Sequence, residues 1–232
     1  MSASLRILDH EFSYELIHQE VMLLRNPDPT VVQQVGKALY AGMPAFAQEV
    51  VVTEVEIGLK LQPGFSSTHL SALEQISADT LPSAKLYTAP VFFESHPDWA
   101  AVEAHCGLTQ SAIKEQLLAH TYTVAMFGFL PGFFYLTGLP KHLQVPRKTI
   151  PAKYIAPNSL ALGGPYLGIY SLPSPGGWHV IGKLPFSLFN LKSTQTPQIF
   201  PGDQIRLNEV DAKTFAILEQ SPVNLSTYNA QL

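Results

Sequence analysis

Between Phe127 and Gly182 the chain reads FGFLPGFFYLTGLPKHLQVPRKTIPAKYIAPNSLALGGPYLGIYSLPSPGGWHVIG. Gly, Pro and aromatic residues interrupt it every few positions. Glycine opens backbone conformations closed to other residues, and proline fixes φ and removes a donor. A segment so dense in both, yet rich in Phe, Tyr and Leu, cannot form one long helix. It predicts short strands joined by shaped turns around an aromatic-lined surface. The same region has no carboxylate: from Glu115 to Asp203 no Asp or Glu intervenes, while Lys141, Arg147, Lys148, Lys153, Lys183 and Lys192 do. Those six cations leave −10 for the rest of a chain whose net charge is −4. A basic, aromatic surface suits an anionic ligand or an acidic partner. Any general base or Mg²⁺ ligand must come from elsewhere in the chain or from another protein.

The chain has 232 residues, room for one large or two small domains. Charged residues make up 14%, against the usual quarter or so, and hydrophobic residues 46%. Two explanations stay open: an uncharged face covered by a partner, or a well-buried β-rich domain. Cys106 is the single cysteine, so no intrachain disulfide forms; it is expected as a small buried helix residue. No signal-peptide pattern and no long apolar run occur, which predicts a cytoplasmic protein that does not span a membrane. The slight acidity and the absence of Lys/Arg runs argue against nucleic acid.

Residues 1–90 alternate between strand and helix patterns. Phe12–His18 reads as a strand. Asn26-Pro27-Asp28-Pro29 starts a helix over Thr30–Tyr40 that Gly42 closes. Ala47–Leu61 suits one or two strands, Ser66 or Ser67 caps a helix to about Ala78, and Leu86–Phe93 is again a strand. This predicts a small ferredoxin-like α/β domain, 1–90. Two helices, Pro97–His105 and Thr109–His120, follow. Short runs at Tyr122–Phe127, Ser159–Leu162, Gly168–Ser171, His179–Gly182, Gln204–Leu207 and Thr214–Leu218 then point to a second, β domain over 91–232, a sandwich or closed barrel. The fold class is α+β.

Four ordered motifs fall in the second half: Gly128-Phe129-Leu130-Pro131-Gly132-Phe133-Phe134-Tyr135-Leu136, then Pro146-Arg147 with Pro151, then Gly168-Ile169-Tyr170, then Ser174-Pro175-Gly176-Gly177-Trp178-His179-Val180-Ile181-Gly182. Together they resemble the family called allophanate hydrolase subunit 1, or the carboxyltransferase C/D subdomain family. Its members include the B subunit of bacterial 5-oxoprolinase and a sporulation-kinase inhibitor of Bacillus. The resemblance implies a cyclophilin-like β-barrel behind the N-terminal domain. It implies ATP-dependent opening of the 5-oxoproline lactam to glutamate. It also implies partners, a homologous C subunit of the allophanate hydrolase subunit 2 type and an A subunit, with ATP and Mg held in a site shared with or supplied by them. Inhibition of a sensor histidine kinase, and membership of an allophanate hydrolase or urea carboxylase, are the alternatives.

The chain departs from the family pattern at Ala152, where many members have Arg, at Asn158, usually Gly, and at Leu167, usually Thr. His96-Pro97-Asp98-Trp99 replaces the usual Gly-Pro-Asp-Leu. Among individual residues, Arg147 is the candidate for anion binding, since its planar fork suits a carboxylate; stacking on aromatics is its structural alternative. Tyr135 and Tyr170 offer hydroxyls to a substrate or fill the barrel end. Trp178 packs or lines the site. Gly128, Pro131 and Gly132 shape the turn presenting Phe133 to Tyr135, and Gly176-Gly177 either admits a ligand or makes a tight turn. His120, at a position where family members often carry His, is an acid/base group or a helix C-terminal cap. His179 is expected to point outward. No metal-site spacing and no Walker-type loop appear, so no metal is expected on this chain alone.

Overall fold

A computed structural model describes residues 3–76, 83–188, 199–221 and 225–230, with the backbone alone at 226 and 227. The chain divides into two compact units, Met1–Ala84 with Phe200–Gly202, and Lys85–Ile199 with Asp203–Leu232.

The first unit contains β1 (Ala3–Ile7), β2 (His10–Ile17), β3 (Val21–Arg25), α1 (Pro29–Ala41), β4 (Ala47–Val52), β5 (Glu56–Leu61) and the short α2 (Ser71–Glu74). Asp28 caps α1 by accepting from the Thr30 N–H, Pro29 opens it, and the Gly42 N–H closes it on the Ala38 carbonyl. The sheet order is β1-β2-β3-β5-β4, antiparallel throughout. Alternate residues Leu5, Ile7, Phe12, Met22, Leu24, Ile57, Leu59, Val50 and Val52 are buried in one core with the apolar stripe of α1. A Cβ at Gly36 would lie 2.6 Å from Val52 Cγ2, so helix and sheet approach closely there. From β3 to β5 the path is that of a split βαβ, with β5 inserted between β3 and β4. A ferredoxin-like sheet would seat its fourth strand beside β3. Here β2 occupies that place, and the strand after α2 joins the other unit's sheet. The helix expected to run to about Ala78 already ends at Glu74, with Gln75 as its C-cap and Ile76 outside it; Ala78 itself lies outside the described residues.

The second unit contains β6 (Leu86–Val91), α3 (Asp98–Cys106), α4 (Gln110–Ala119), β7 (Thr121–Phe127), β8 (Phe134–Thr137), β9 (Ala152–Ile155), β10 (Ser159–Gly163), β11 (Tyr166–Ile169), β12 (Ser174–Gly176), β13 (His179–Lys183), β14 (Gln204–Glu209), α5 (Ala212–Gln220) and α6 (Leu225–Asn229). Seven strands form one mixed sheet, β13-β10-β11-β8-β7-β14-β6, in which only β14 and β6 run parallel. The sheet curls until its edges touch. Phe92, just past β6, and Lys183, the last residue of β13, exchange two 2.9 Å backbone hydrogen bonds. The interior of the curl is the larger core, filled by Val91, Tyr122, Phe134, Leu136, Leu160, Leu162, Leu167, Ile181 and Ile205. β9 and β12 pair in a separate ribbon.

One segment differs in kind from the sequence-based expectation. Thr214–Leu218, expected as a strand, lies in α5, whose start is fixed by the Asp211 carboxylate accepting from the Thr214 N–H at 2.7 Å. A short apolar run does not separate strand from helix by period, and the cap decides. Lys192, one of the six cations of the carboxylate-free stretch, lies outside the described residues. None of the described helices is long and apolar enough to cross a membrane.

Candidate functional site

Strands β8, β10, β11 and β13 are two-faced. Phe134, Leu136, Leu160, Leu162, Leu167, Ile169 and Ile181 enter the large core. Their alternates, Phe133, Ala161, Tyr170, Trp178 and Val180, form a second cluster on the opposite face, joined by Ile155 of β9 and by half-buried Tyr135 and Tyr166. The period of two along a strand is enough to separate the sets.

Trp178 organises this face. A Cβ on Gly163 would stand 2.2 Å from its ring, and one on Gly168 2.3 Å, so the indole lies on a shelf made by two glycines. Phe133 meets the indole edge-on with centroids 5.4 Å apart, and Tyr135 does the same at 5.5 Å. Tyr170 meets Phe133 edge-on at 4.9 Å. Gly176 is glycine for a related reason: a Cβ there would reach within 2.3 Å of the Tyr170 hydroxyl. Gly177 instead anchors the neighbouring loop, its carbonyl accepting from the Lys148 N–H at 2.7 Å.

The loop between β7 and β8 forms one wall. Gly132 takes φ +73°, and Phe129 takes φ +66°, a left-handed conformation that a bulky residue seldom adopts. Short backbone bonds hold it: Leu130 N–H to the Gly128 carbonyl at 2.7 Å and Phe133 N–H to the Leu130 carbonyl at 3.0 Å. The Ser171 hydroxyl, just past β11, donates to the Pro131 carbonyl at 2.7 Å. The consequence is that Phe129 stands 58% exposed, edge-on to Phe133 and Tyr170.

These residues enclose a pocket of about 320 Å³ lined by Phe129, Phe133, Tyr135, Arg147, Pro151, Tyr170, Pro175, Gly176, Gly177 and Trp178. Arg147 is its one charged residue. The guanidinium carbon lies 5.7 Å from the Trp178 ring centroid, and among the described residues no carboxylate pairs with it. Burial pushes the Tyr170 hydroxyl up to about 12, against the opposing pull of the Trp178 backbone N–H and Arg147. Burial also raises Tyr135, again opposed by Arg147. Both phenols are therefore neutral donors at physiological pH beside a fixed cation. Such a set can hold a carboxylate against an aromatic surface. A larger depression of about 580 Å³ in the first unit, lined by Ser4, Arg6, Asp9, Glu11 and Glu74 among others, mixes charges of both signs and has no aromatic wall.

Behind the pocket runs a polar brace. Asp98, in the first turn of α3, accepts from the Val180 N–H at 2.8 Å and pairs with Lys148 at 2.5 Å. His179 is 7% exposed rather than outward-pointing, with Nε2 donating to the Pro146 carbonyl at 3.0 Å and Nδ1 without a partner. Burial lowers its basicity. Lys148 follows Arg147 in the chain and His179 follows Trp178, so the brace ties both site residues to the scaffold.

Of the residues singled out by sequence, the pocket brings together Tyr135, Arg147, Tyr170, Gly176, Gly177 and Trp178. Gly128, Pro131 and Gly132 form the turn that carries Phe129 and Phe133. His120 stands apart from the lining: it terminates α4, with Nδ1 2.7 Å from the Gln116 carbonyl. Sequence reasoning missed Phe129 as a wall and Gly163 and Gly168 as the shelf. The sequence carried no local signal for the shelf, which exists only once Trp178 packs on the two glycines.

Residues 31–200 match the family described as carboxyltransferase domain, subdomain C and D. The chain belongs to this family. A protein of Escherichia coli O157:H7, named as the B subunit of 5-oxoprolinase, is 38% identical over 127 residues, which cover 54% of this chain and 58% of that protein. A protein of the same name from Bacillus subtilis (strain 168) is 30% identical over 186 residues, covering 75% and 76%. The solved structure of TTHA0988 superposes with a TM-score of 0.71 at 26% identity, covering 83% of this chain and 40% of that one. The chain thus spans little more than half of the first relative's length.

Leu167 is fully buried in the large core, on the face away from the pocket. Asn158 keeps a glycine-like φ of +64°, which Asn tolerates better than most residues. Its N–H donates to the Tyr170 carbonyl at 2.6 Å and its carbonyl accepts from the Leu184 N–H. Ala152 packs against the pocket-face cluster opposite Gly176. Asp98 of the His96-Pro97-Asp98-Trp99 segment is the brace carboxylate.

Proposed function

We propose that this chain is the B subunit of an ATP-dependent 5-oxoprolinase, supplying the surface that holds 5-oxoproline while its partners complete the enzyme. The observation that carries the reading is the convergence of Arg147 with the Tyr135 and Tyr170 hydroxyls on an aromatic floor, in a chain whose relatives bear that name. The carboxylate of 5-oxoproline would meet the guanidinium fork, and the flat ring would lie among Phe129, Phe133 and Trp178. Activating a lactam by phosphorylating its amide oxygen makes an uphill ring opening feasible when coupled to ATP.

A magnesium nucleotide does not fit this pocket. Its lining offers no carboxylate for the ion, and a triphosphate would meet a single arginine. Among the described residues no three His, Cys, Asp or Glu side chains cluster at metal-binding distance. Nucleotide chemistry is therefore assigned to a C subunit of the allophanate hydrolase subunit 2 type and to an A subunit, in the cytoplasm. The curled sheet belongs to the cyclophilin-like barrel class in this reading, and the first unit is a ferredoxin-like variant with β2 in the fourth-strand place.

A second reading, inhibition of a sensor histidine kinase through a docking face, is favoured by Ile150, 84% exposed, and Tyr154, 66% exposed, close in sequence to Arg147. The test is glutamate release from 5-oxoproline and ATP, with this chain alone and then with candidate C and A subunits. Activity in the mixture alone supports the subunit role; silence in a verified assembly removes it. Within the active mixture, Arg147→Ala should lower activity about 10- to 100-fold, the worth of a charged hydrogen bond, at unchanged melting temperature. Equal loss of both would make Arg147 structural.

A further inference from the structure

The charge inventory around the pocket says more than that an anion binds. Arg147 is the only ionised group among the ten lining residues. Asp98 is the carboxylate whose field reaches Tyr170 and His179. It is already committed: Lys148 lies 2.5 Å from Oδ2, and the same oxygen accepts from the Val180 N–H. Its side chain is 14% exposed and that of Lys148 17%, so the pair is internal to the scaffold and neutral as a unit. His96, 3.5 Å from the same oxygen, adds no free acceptor. The remaining surface offered to a ligand is aromatic ring, two neutral phenols and the glycine backbone of Gly176-Gly177.

A pocket of this kind has one fixed cation to meet a negative charge and no carboxylate to meet a positive one, and Arg147 already lies over the Trp178 ring face. We infer that it selects monocarboxylates whose nitrogen is uncharged, as in a lactam or an N-acylated amino acid, and rejects free amino acids. The inference rests on the reading of the Arg147 pocket as the substrate site. It gives the site a discriminating role between substrate and product. Adding water across the lactam C–N bond turns the carbonyl into a second carboxylate and the ring N–H into an ammonium. The substrate carries one charge and the product three. Against this surface the ammonium has no acceptor anion and the second carboxylate no cation, and groups left unpaired in a partly desolvated site weaken binding. The opened product is thereby disfavoured where the closed ring is held, which directs release. Proline makes the same point without ring opening: its ring is of equal size, but its nitrogen is charged.

Calorimetric titration of the intact chain, followed in parallel by tryptophan fluorescence because Trp178 lines the pocket, tests this with defined compounds. 5-Oxoproline and cyclopentanecarboxylate should bind. Proline and glutamate should bind at least about tenfold more weakly, and Arg147→Gln should remove the difference together with the binding. Proline or glutamate binding within about threefold of 5-oxoproline overturns the inference, as does absence of 5-oxoproline binding both to the chain and to the assembled complex. The glutamate-release assay fails separately. Turnover by a complex whose pocket accepts proline equally sinks the selection and keeps the subunit role; selective binding without turnover does the reverse.

Discussion

The two faces of strands β8, β10, β11 and β13 share one backbone and differ in everything else. The inner face is aliphatic with one aromatic: Phe134, Leu136, Leu160, Leu162, Leu167, Ile169 and Ile181, all at 2% exposure or less. The outer face is Phe133, Tyr135, Tyr170 and Trp178, interleaved with Gly163 and Gly168 and finished by Arg147. Branched aliphatic side chains fill volume without direction, whereas aromatic rings meet at set angles and need small residues opposite them. The inner face therefore secures the curl, and the outer face shapes a recess. A substitution on one face should be felt in a different observable from its neighbour one residue away.

Leu136→Ala offers the largest separation. It removes a fully buried side chain from the inner face and should cost about 2–5 kcal/mol of stability. Affinity of the still-folded fraction for 5-oxoproline should stay within about twofold, since Leu136 does not line the pocket. Joint loss of affinity in folded protein would show the faces to be coupled. Gly168→Ala sharpens the contrast from the other side. The new Cβ would meet Trp178 at 2.3 Å and Phe133 at 2.9 Å, which overpacks the shelf for about 1–3 kcal/mol. Binding should fall by more than that stability loss explains, because the indole that floors the pocket is displaced. Thermal melts and titrations on the same samples check both.

This contrast also marks what could be read from the sequence. The motif order placed Tyr135, Arg147, Tyr170 and Trp178 in one region, and the Asn26-Pro27-Asp28-Pro29 run marked the start of a helix that Asp28 caps. These are local effects, written within a few residues. The shelf is not local. Gly163 and Gly168 are glycine because Trp178 comes to rest on them, a contact that no nearby pattern announces. The same holds for Asp98, which meets Lys148 and Val180 across long stretches of chain. Phe129 was hidden for another reason: a left-handed φ on a phenylalanine runs against its intrinsic preference and is imposed by the bonds around it. Leu167 shows the converse. It departs from the family pattern where Thr is usual, and strand alternation turns that position into the core, away from the pocket.

The smallest expected effect lies at the seam between the faces. Strand period alone gave His179 an outward direction, but the Pro146 carbonyl holds it inside with Nε2–H as donor. That bond leaves Nδ1 as an unpaired acceptor in a buried site. Protonation would place a proton on Nδ1 with nothing to receive it. Burial, joined by Lys148 and His105, lowers the affinity for that proton, and Asp98 and the Pro146 carbonyl only partly oppose them. The folded state therefore binds this proton less readily than the unfolded chain, where histidine titrates near 6.5. By linkage, stability is complete above that value and declines as pH falls below it. His179→Gln keeps a donor for Pro146 and removes the titration. The wild-type chain should lose more melting temperature than this variant between pH 7.5 and 5.5, with the two curves converging in slope above pH 7. Parallel curves across the whole range would mean that Asp98 accommodates the charged ring, and that the brace behind Trp178 and Arg147 is indifferent to its protonation.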